Sequence, residues 1–326
     1  MGLTLGTRFG PSEVSAARGV RVQREARVIV LAILLTTMVS LAGCGGNAVA
    51  PSAPSAPPAL LTDVPPAARG RVAIISIDGL RPDALLTVGA PNILALADRG
   101  AYTWQAQTIL PSLTLPSHVS MLSGFTPDMH GIVWDDYIKE RGPITVPTLF
   151  SVARSLGRRT AVIAGKQKFI YFCEGADVCA ITSNGDDDVA SGAVSNRAVD
   201  LLFVHLPDVD VNGHSAGWMS DAYLTAVRRA DLAVGRIVSS LPGDTTVIFS
   251  ADHGGHLSEH GSSQASDMTI PWIIAGPRIA QGRRLSSAIR TVDTAATAAY
   301  VLGLPLQAGA AGRPVLEAFT TSQAAH

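Results

Sequence analysis

The chain is short of charge and of aromatic rings. Asp, Glu, Lys and Arg make up 16% of its 326 residues, and Phe, Trp and Tyr only 5%. Positive charge is not in excess, with 25 Lys and Arg against 26 Asp and Glu and a formal net charge of −1. With no basic tail or stripe, nucleic acid is not expected as a partner. The apolar run from Val28 to about Ala42 is too short to span a bilayer comfortably. There is no internal repeat. Cysteine is limited to Cys44, Cys173 and Cys179. What the chain does have is apolar residues, 47% of the total, enough for a sizeable core. Its length allows one large domain or two small ones.

The first seventy residues stand apart. Arg18, Arg21, Arg24 and Arg27 precede the short apolar run, which is the pattern of a secretory signal. The run ends in Leu41-Ala42-Gly43-Cys44, which resembles a bacterial lipoprotein processing site. That resemblance implies a signal peptide over 1–43, lipidation of Cys44, export, and anchorage to the membrane through the lipid. An ordinary signal peptide or an uncleaved anchor is the alternative. Residues 44–68 are rich in Pro, Ala, Gly and Ser, cannot form a core, and read as a tether. The folded domain is expected over 69–320, with a tail over 321–326. Cys173 and Cys179 lie close together in an exported chain, so a small disulfide loop is expected. Two free thiols are the alternative.

Within the domain, apolar runs alternate with amphipathic ones. Arg71–Ile77, Arg158–Ile163, Leu201–Leu206, Thr246–Ala251 and Met268–Ala275 read as buried strands. Ala101–Leu110 reads as extended. Helices are expected over Asn92–Arg99, from Pro116 to about Ser123, and over Val146–Leu156, Ser195–Asp200, Asp221–Leu241 and Val292–Leu302. Residues 126–137 and 170–190 read as irregular, with Gly185-Asp-Asp-Asp188 as a solvated turn. The alternation predicts an α/β fold, a mainly parallel central sheet with helices on both faces.

The informative residues stand where apolar runs end. Thr246-Val-Ile-Phe-Ser-Ala251 leads into Asp252 and His253, then two glycines, then His260. Asp78-Gly79 follows the first strand. Asp210 and His214 follow Leu206. Thr114 lies just before the helix expected from Pro116, where a hydroxyl is commonly an N-cap. A helix start also favours phosphate, and a hydroxyl there can be a nucleophile if a metal lowers its pKa. Singly, each has an ordinary explanation as a turn, cap or surface residue. Ligands in open α/β sheets bind at strand carboxyl ends, and these ends meet on one edge. Three carboxylates, three imidazoles and a hydroxyl there suit two zinc ions, each keeping an open position. Such a pair clamps the two sides of a phosphoryl transfer.

Ile77-Asp78-Gly79, Thr114-Leu-Pro-Ser-His118, His130-Gly131-Ile132, Asp210-Val-Asn-Gly-His214, Asp252-His253-Gly254 and His260-Gly261 resemble, in order and spacing, the motifs of the alkaline phosphatase superfamily. The nearest branch is the type I phosphodiesterase/nucleotide pyrophosphatases, and the likeness runs from about Arg71 to about Leu316. It implies one divalent metal, zinc by preference, on Asp210, His214 and His260. A second is implied on Asp78, Asp252 and His253 with Thr114. It further implies hydrolysis of a small phosphate ester, a diester or nucleotide pyrophosphate first and a monoester second, through a phosphothreonine at Thr114. Asp135 departs from the pattern, because the family commonly has an asparagine there that donates to a phosphate oxygen. Asp135 is therefore expected to be protonated, turned away, or bound to a cation or a cationic group of the substrate. Lys166 and Lys168 are candidates for the missing positive contact, and Trp134 for stacking on a leaving group. His118, His130, His205 and His256 are expected to be structural or to support the ligands, and Asp267 could support them as well. A sulfatase would need a modifiable Cys or Ser at the nucleophile, and Thr114 stands there. A rival of another class is a metal-binding surface protein that has lost catalysis.

Overall fold

A computed structural model of the protein describes residues 70–320. The expected signal peptide (1–43), Cys44, the tether (44–68) and the tail (321–326) lie outside the described residues. The apolar runs become strands β1 (Arg71–Ile77), β2 (Ala101–Gln107), β3 (Thr160–Ala164), β4 (Val178–Ile181), β5 (Leu201–Leu206), β6 (Thr245–Ala251), β7 (Thr269–Ala275) and β8 (Arg283–Arg284). They form one eight-stranded sheet in the order β4-β3-β5-β1-β6-β7-β2-β8. The helices are α1 (Pro82–Val88), α2 (Pro91–Asp98), α3 (Thr114–Ser123), α4 (Pro127–His130), α5 (Leu149–Ser155), α6 (Asp186–Ser195), α7 (Asp208–Ala216), α8 (Asp221–Ser240), α9 (Ala265–Met268) and α10 (Asp293–Leu302).

The sheet is mainly parallel, as the alternation of elements predicts. β7 alone is reversed, pairing antiparallel with both β6 and β2. The connection between β6 and β7, residues 252–268, holds only the four-residue α9, whereas a parallel return is usually made by a longer crossover helix. Every residue of β3, β5 and β6 is buried, as is β1 after Arg71. Both sheet faces must then be covered, which is why these strands are apolar without alternation. One helix group, α1, α2, α6 and α7, packs around α8, while α10 packs on α3, β1 and β6.

Sheet order is what builds the site. β1 lies between β5 and β6, with Ile77 level with Leu206 and with Ala251. The residues that follow these three strands, Asp78, Pro207 and Asp252, therefore emerge side by side.

Several local expectations give way. Thr114 is the first residue of α3, not a residue ahead of it, and its neighbour Leu113 is the N-cap without any side-chain cap. Residues 170–190 are ordered: Gln167–Gly175 is a 3₁₀ segment, then β4 follows, then α6 begins at Asp186. The acidic run is thus the first turn of α6, where carboxylates complement the helix dipole, and Asp186 is buried at 3% exposure. The helix expected over Ser195–Asp200 lies earlier, because α6 ends at Ser195. Within the stretch read as loop, Pro127–His130 forms one helical turn.

Candidate active site

The Asp78-Gly79 turn explains why glycine is needed beside the first ligand candidate. Gly79 has φ +67°, and a Cβ there would come within 3.0 Å of the Asp210 Cα. The turn is fixed from the other side, where Trp218 Nε1 and Tyr223 Oη both donate to the Gly79 carbonyl at 2.9 Å. Gly255 makes room for the same indole, since a Cβ there would overlap Trp218.

Two groups of side chains converge on this edge. In the first, His253 Nε2 lies 3.3 Å from Asp78 Oδ1 and 3.3 Å from Asp252 Oδ2. Thr114 Oγ1 lies 3.4 Å from Asp78 Oδ1 and 3.3 Å from His253 Nε2. In the second, His214 Nε2 is 3.1 Å from His260 Nε2. Asp210 Oδ1 is 3.5 Å from His214 Nε2 and 3.6 Å from His260 Nε2. A tetrahedral ion with bonds of about 2.0–2.1 Å separates its donors by roughly 3.4 Å. Both sets of spacings fit such an ion.

The donors also point the right way. His214 Nδ1–H donates to the Ser258 carbonyl at 3.0 Å, His253 Nδ1–H to Gly254 at 2.7 Å and His260 Nδ1–H to Ser112 at 2.9 Å. Each bond fixes Nδ1 as the donor and turns Nε2 toward the cluster, where it can ligate a metal once it carries no proton. Asp210 Oδ1 and Asp252 Oδ2 are buried with no hydrogen-bond partner, an expensive state for a carboxylate unless a cation is to arrive.

The electrostatics agree. Burial pushes the Asp78 carboxyl up, but Lys166 and hydrogen bonds from His205 and His253 outweigh it and hold Asp78 well below the usual carboxylate range. Burial and the charge of Asp78 push Asp252 well above that range. Burial opposes a proton on His253, yet Asp252 and Asp78 raise it to about 10. Burial and His253 lower His260 to about 4. The metal-free first cluster thus keeps a proton on His253 among carboxylates, in the position where a cation would neutralise them.

The lysines divide their work. Lys166 Nζ bridges Asp78 Oδ2 and Asp210 Oδ2, 2.6 Å from each, so each carboxylate keeps its other oxygen for its cluster. Lys168 Nζ pairs instead with Asp135 Oδ2 at 2.6 Å, while Asp135 Oδ1 accepts the Leu115 N–H at 2.7 Å. Of the three options for Asp135, the structure has the one paired with a cation. Arg141 lies over the Trp134 ring, 4.1 Å from its centroid.

The remaining histidines surround the clusters. His118 Nδ1–H donates to the Thr114 carbonyl at 2.8 Å, and its Nε2 meets Ser76 Oγ at 2.9 Å. His205 Nε2–H donates to Asp78 Oδ2 at 2.8 Å. His256 Nδ1–H donates to Asp267 Oδ1 at 2.7 Å, and Asp267 also holds Ser262. His130 lies farther off, against Ser120 at 3.0 Å, and burial lowers it to about 4. Cys173 and Cys179 are bonded to each other, with Cα atoms 5.3 Å apart.

Sequence reasoning missed Trp218, Tyr223 and the pair Asp186–Asp208. The latter cap one another: Asp186 Oδ1 accepts the Asp208 N–H at 3.1 Å and Asp208 Oδ2 the Asp186 N–H at 3.2 Å. Acidic residues opening a helix are a known signal, but nothing local connects two of them 22 positions apart.

This arrangement can be set beside known proteins. An uncharacterized pyrophosphatase/phosphodiesterase of Schizosaccharomyces pombe is 23% identical over 240 residues, which are 62% of this chain and 47% of that protein. The chain therefore spans about half the length of this curated relative. An inactive threonine-to-alanine variant of murine ectonucleotide pyrophosphatase/phosphodiesterase 5, in complex with AMP, superposes with a TM-score of 0.65 at 14% identity. That match covers 73% of this chain and 96% of the other. A 2-O glycosaminoglycan sulfatase superposes equally well, with a TM-score of 0.65 at 17% identity over 77% of this chain and 74% of its own. At such identities the structural likeness speaks to fold alone, which is alkaline-phosphatase-like. The sequence goes further, because residues 72–148 and 174–264 match the family model described as type I phosphodiesterase / nucleotide pyrophosphatase. Those segments contain Asp78, Thr114, Asp210, His214, Asp252, His253 and His260, and on that ground the chain belongs to the type I phosphodiesterase / nucleotide pyrophosphatase family.

Proposed function

We propose that the protein is an exported, lipid-anchored hydrolase of phosphate esters, acting first on phosphodiesters and nucleotide pyrophosphates, with Thr114 as nucleophile. One observation carries the reading: Thr114 Oγ1, fully buried, lies 3.4 Å from Asp78 Oδ1 and 3.3 Å from His253 Nε2, beside the cluster of Asp78, Asp252 and His253. The murine protein of the same fold is inactive as a threonine-to-alanine variant and binds AMP; carried over to this chain, that is in keeping with a threonine nucleophile and a nucleotide-like substrate. Asp78, Asp252, His253 and Thr114 would hold one divalent ion, and Asp210, His214 and His260 another, with zinc the best match to these donors. When bound, such ions make a hydroxyl or water nucleophilic at neutral pH and neutralise charge on the phosphoryl and leaving oxygens.

The chain's own groups do the rest. His118 holds the Thr114 carbonyl, fixing the first turn of α3, so that Oγ1 faces the site. Thr114 Oγ1 attacks phosphorus as the bond to the leaving oxygen breaks, and the proton Thr114 gives up leaves with that oxygen, as the alcohol of a diester or the phosphate of a pyrophosphate. Water then attacks the phosphothreonine, and the phosphoryl group leaves as a monoester while Thr114 recovers its proton. Export and lipidation rest on the basic, apolar and Cys44 pattern of the N-terminus.

The test is hydrolysis of bis-p-nitrophenyl phosphate by the zinc-loaded protein and by Thr114→Ala. Loss of a nucleophile is expected to cost about a thousandfold or more in kcat, with bound zinc measured in both. Equal activity in the variant would remove Thr114 from the reaction. Zinc binding without turnover of any ester would favour the metal-binding surface protein.

A further inference from the structure

We propose that Asp135, paired with Lys168, is a charge filter. It is a fixed carboxylate beside the nucleophile that favours phosphoryl groups bearing one negative charge over those bearing two. The proposal rests on the phosphate-ester reading above and gives it a substrate class.

The Leu115 N–H belongs to the first turn of α3, immediately after Thr114. Amides there have no helical partner and attract anions. A phosphoryl group attacked by Thr114 would be expected to rest an oxygen on this amide. Here the protein supplies its own anion, because Asp135 Oδ1 takes that N–H at 2.7 Å. Lys168 Nζ, only 14% exposed, lies 2.6 Å from Oδ2 and balances the carboxylate. Lys166 cannot relieve it, being engaged 2.6 Å from both Asp78 and Asp210. The amide next to the nucleophile is therefore held by a negative group already compensated once, where a substrate phosphoryl group would bring charge of its own.

Coulomb repulsion is proportional to charge. A diester phosphoryl group carries one negative charge and meets the Asp135 field once. A monoester or free phosphate carries up to two and meets it twice. The filter thus selects diesters on entry, and it weakens the hold on the monoester formed by diester cleavage, which is more negative than the substrate.

The test uses the zinc-loaded protein, titrated calorimetrically at pH 8.5 with inorganic phosphate, a dianion, and with dimethyl phosphate, a monoanion. Asp135→Asn keeps an oxygen for the Leu115 N–H and removes the charge. Phosphate affinity is expected to rise tenfold or more, and dimethyl phosphate affinity threefold or less. The ratio of kcat/KM for bis-p-nitrophenyl phosphate over p-nitrophenyl phosphate should fall tenfold or more. Lys168→Met leaves Asp135 uncompensated and should weaken phosphate at least fivefold but dimethyl phosphate twofold or less; an equal loss for both would overturn the filter, even if Asp135→Asn does not fold. Equal responses of the two anions, or weaker phosphate binding by Asp135→Asn, would overturn the filter. Because the titrations need no turnover, they decide it even if no ester is hydrolysed, an outcome that would count against the enzyme reading instead.

Discussion

The two carboxylate–imidazole clusters use the same donor types in opposite settings. Asp78, Asp252 and His253 are all at 0% exposure, whereas in the other cluster the His214 side chain is 46% exposed beside a buried Asp210. The buried cluster is built on the ends of adjacent strands β1 and β6. Its ligands are tied down repeatedly: Asp252 Oδ1 accepts from the Gly79 and His253 amides, and the Asp252 carbonyl takes hydroxyls from Thr108 and Ser117. The open cluster joins a helix, α7, to the loop carrying His260, and His214 is steadied by one carbonyl, that of Ser258. Concentrated buried charge fixes geometry but demands compensation, here from Lys166 and the proton on His253. An exposed imidazole demands little and exchanges readily with solvent. On the proposed reading, the inner cluster prepares the nucleophile and the outer one meets water and the leaving group.

The sharpest way to break this contrast is to weaken one cluster at a time. Asp252→Asn should abolish the inner ion and lower turnover of bis-p-nitrophenyl phosphate about a thousandfold or more, whatever the zinc concentration. His214→Ala should leave the inner ion in place, with activity largely restored by excess zinc. Bound zinc per chain, measured alongside turnover across a zinc series, separates the two. If both variants recover equally with zinc, the clusters do not differ in kind.

Legibility in the sequence follows the same divide. Asp78, Asp252 and His253 stand out because each ends an apolar run, and the strands that present them read correctly. Asp210 and His214 stand out because they follow the apolar run ending at Leu206, but the helix that carries both, α7, was not expected. What could not be read depends on non-local pairing. The bridge from Lys166 to Asp78 and Asp210 requires β3, β5 and β1 to be neighbours, and strand order is not written in any one segment. Asp135 was visible as a departure from a family pattern, but its partner, 33 residues away, was not. β4 was missed because its apolar run, Val178-Cys-Ala-Ile181, is only four residues long and lies half-buried at the edge of the sheet. The acidic turn at 185–188 was read as solvated because three aspartates usually are. Its first member is buried through a tertiary contact with Asp208.

A second test asks how tightly the clusters are coupled. Gly79 carries the turn of the inner one and touches Asp210 of the outer one. Gly79→Ala puts a side chain at φ +67° and within 3.0 Å of the Asp210 Cα. Left-handed strain and overpacking each cost roughly 1–2 kcal/mol, so urea unfolding should show a loss of about 2–4 kcal/mol. Zinc bound to the outer cluster should weaken more than zinc bound to the inner one. Unchanged stability would mean that the turn relaxes freely and the two clusters are independent.

The mildest test concerns the support beneath the outer cluster. Asp186 and Asp208 cap the first turns of α6 and α7, and α7 carries Asp210 and His214. Burial, then the charge of Asp208, pushes the Asp186 carboxyl up to about 7, and its Oδ2 has no partner. A carboxyl raised in the folded state binds its proton more tightly there than in the unfolded chain. Its contribution is therefore most favourable below the unfolded pKa near 4 and is lost as pH rises towards 7. Asp186→Asn keeps the Oδ1 acceptor and removes the titration. With chelator present, so that metal binding does not enter, the variant should gain on the wild type as pH rises from 5 to 8. The gain is expected to be on the order of 1–2 kcal/mol, read as a few degrees of Tm. A gap between the two proteins that stays constant with pH would show that Asp186 is not titrating in this range. The outer cluster would then rest on a fixed support rather than one that weakens as the solution becomes more alkaline.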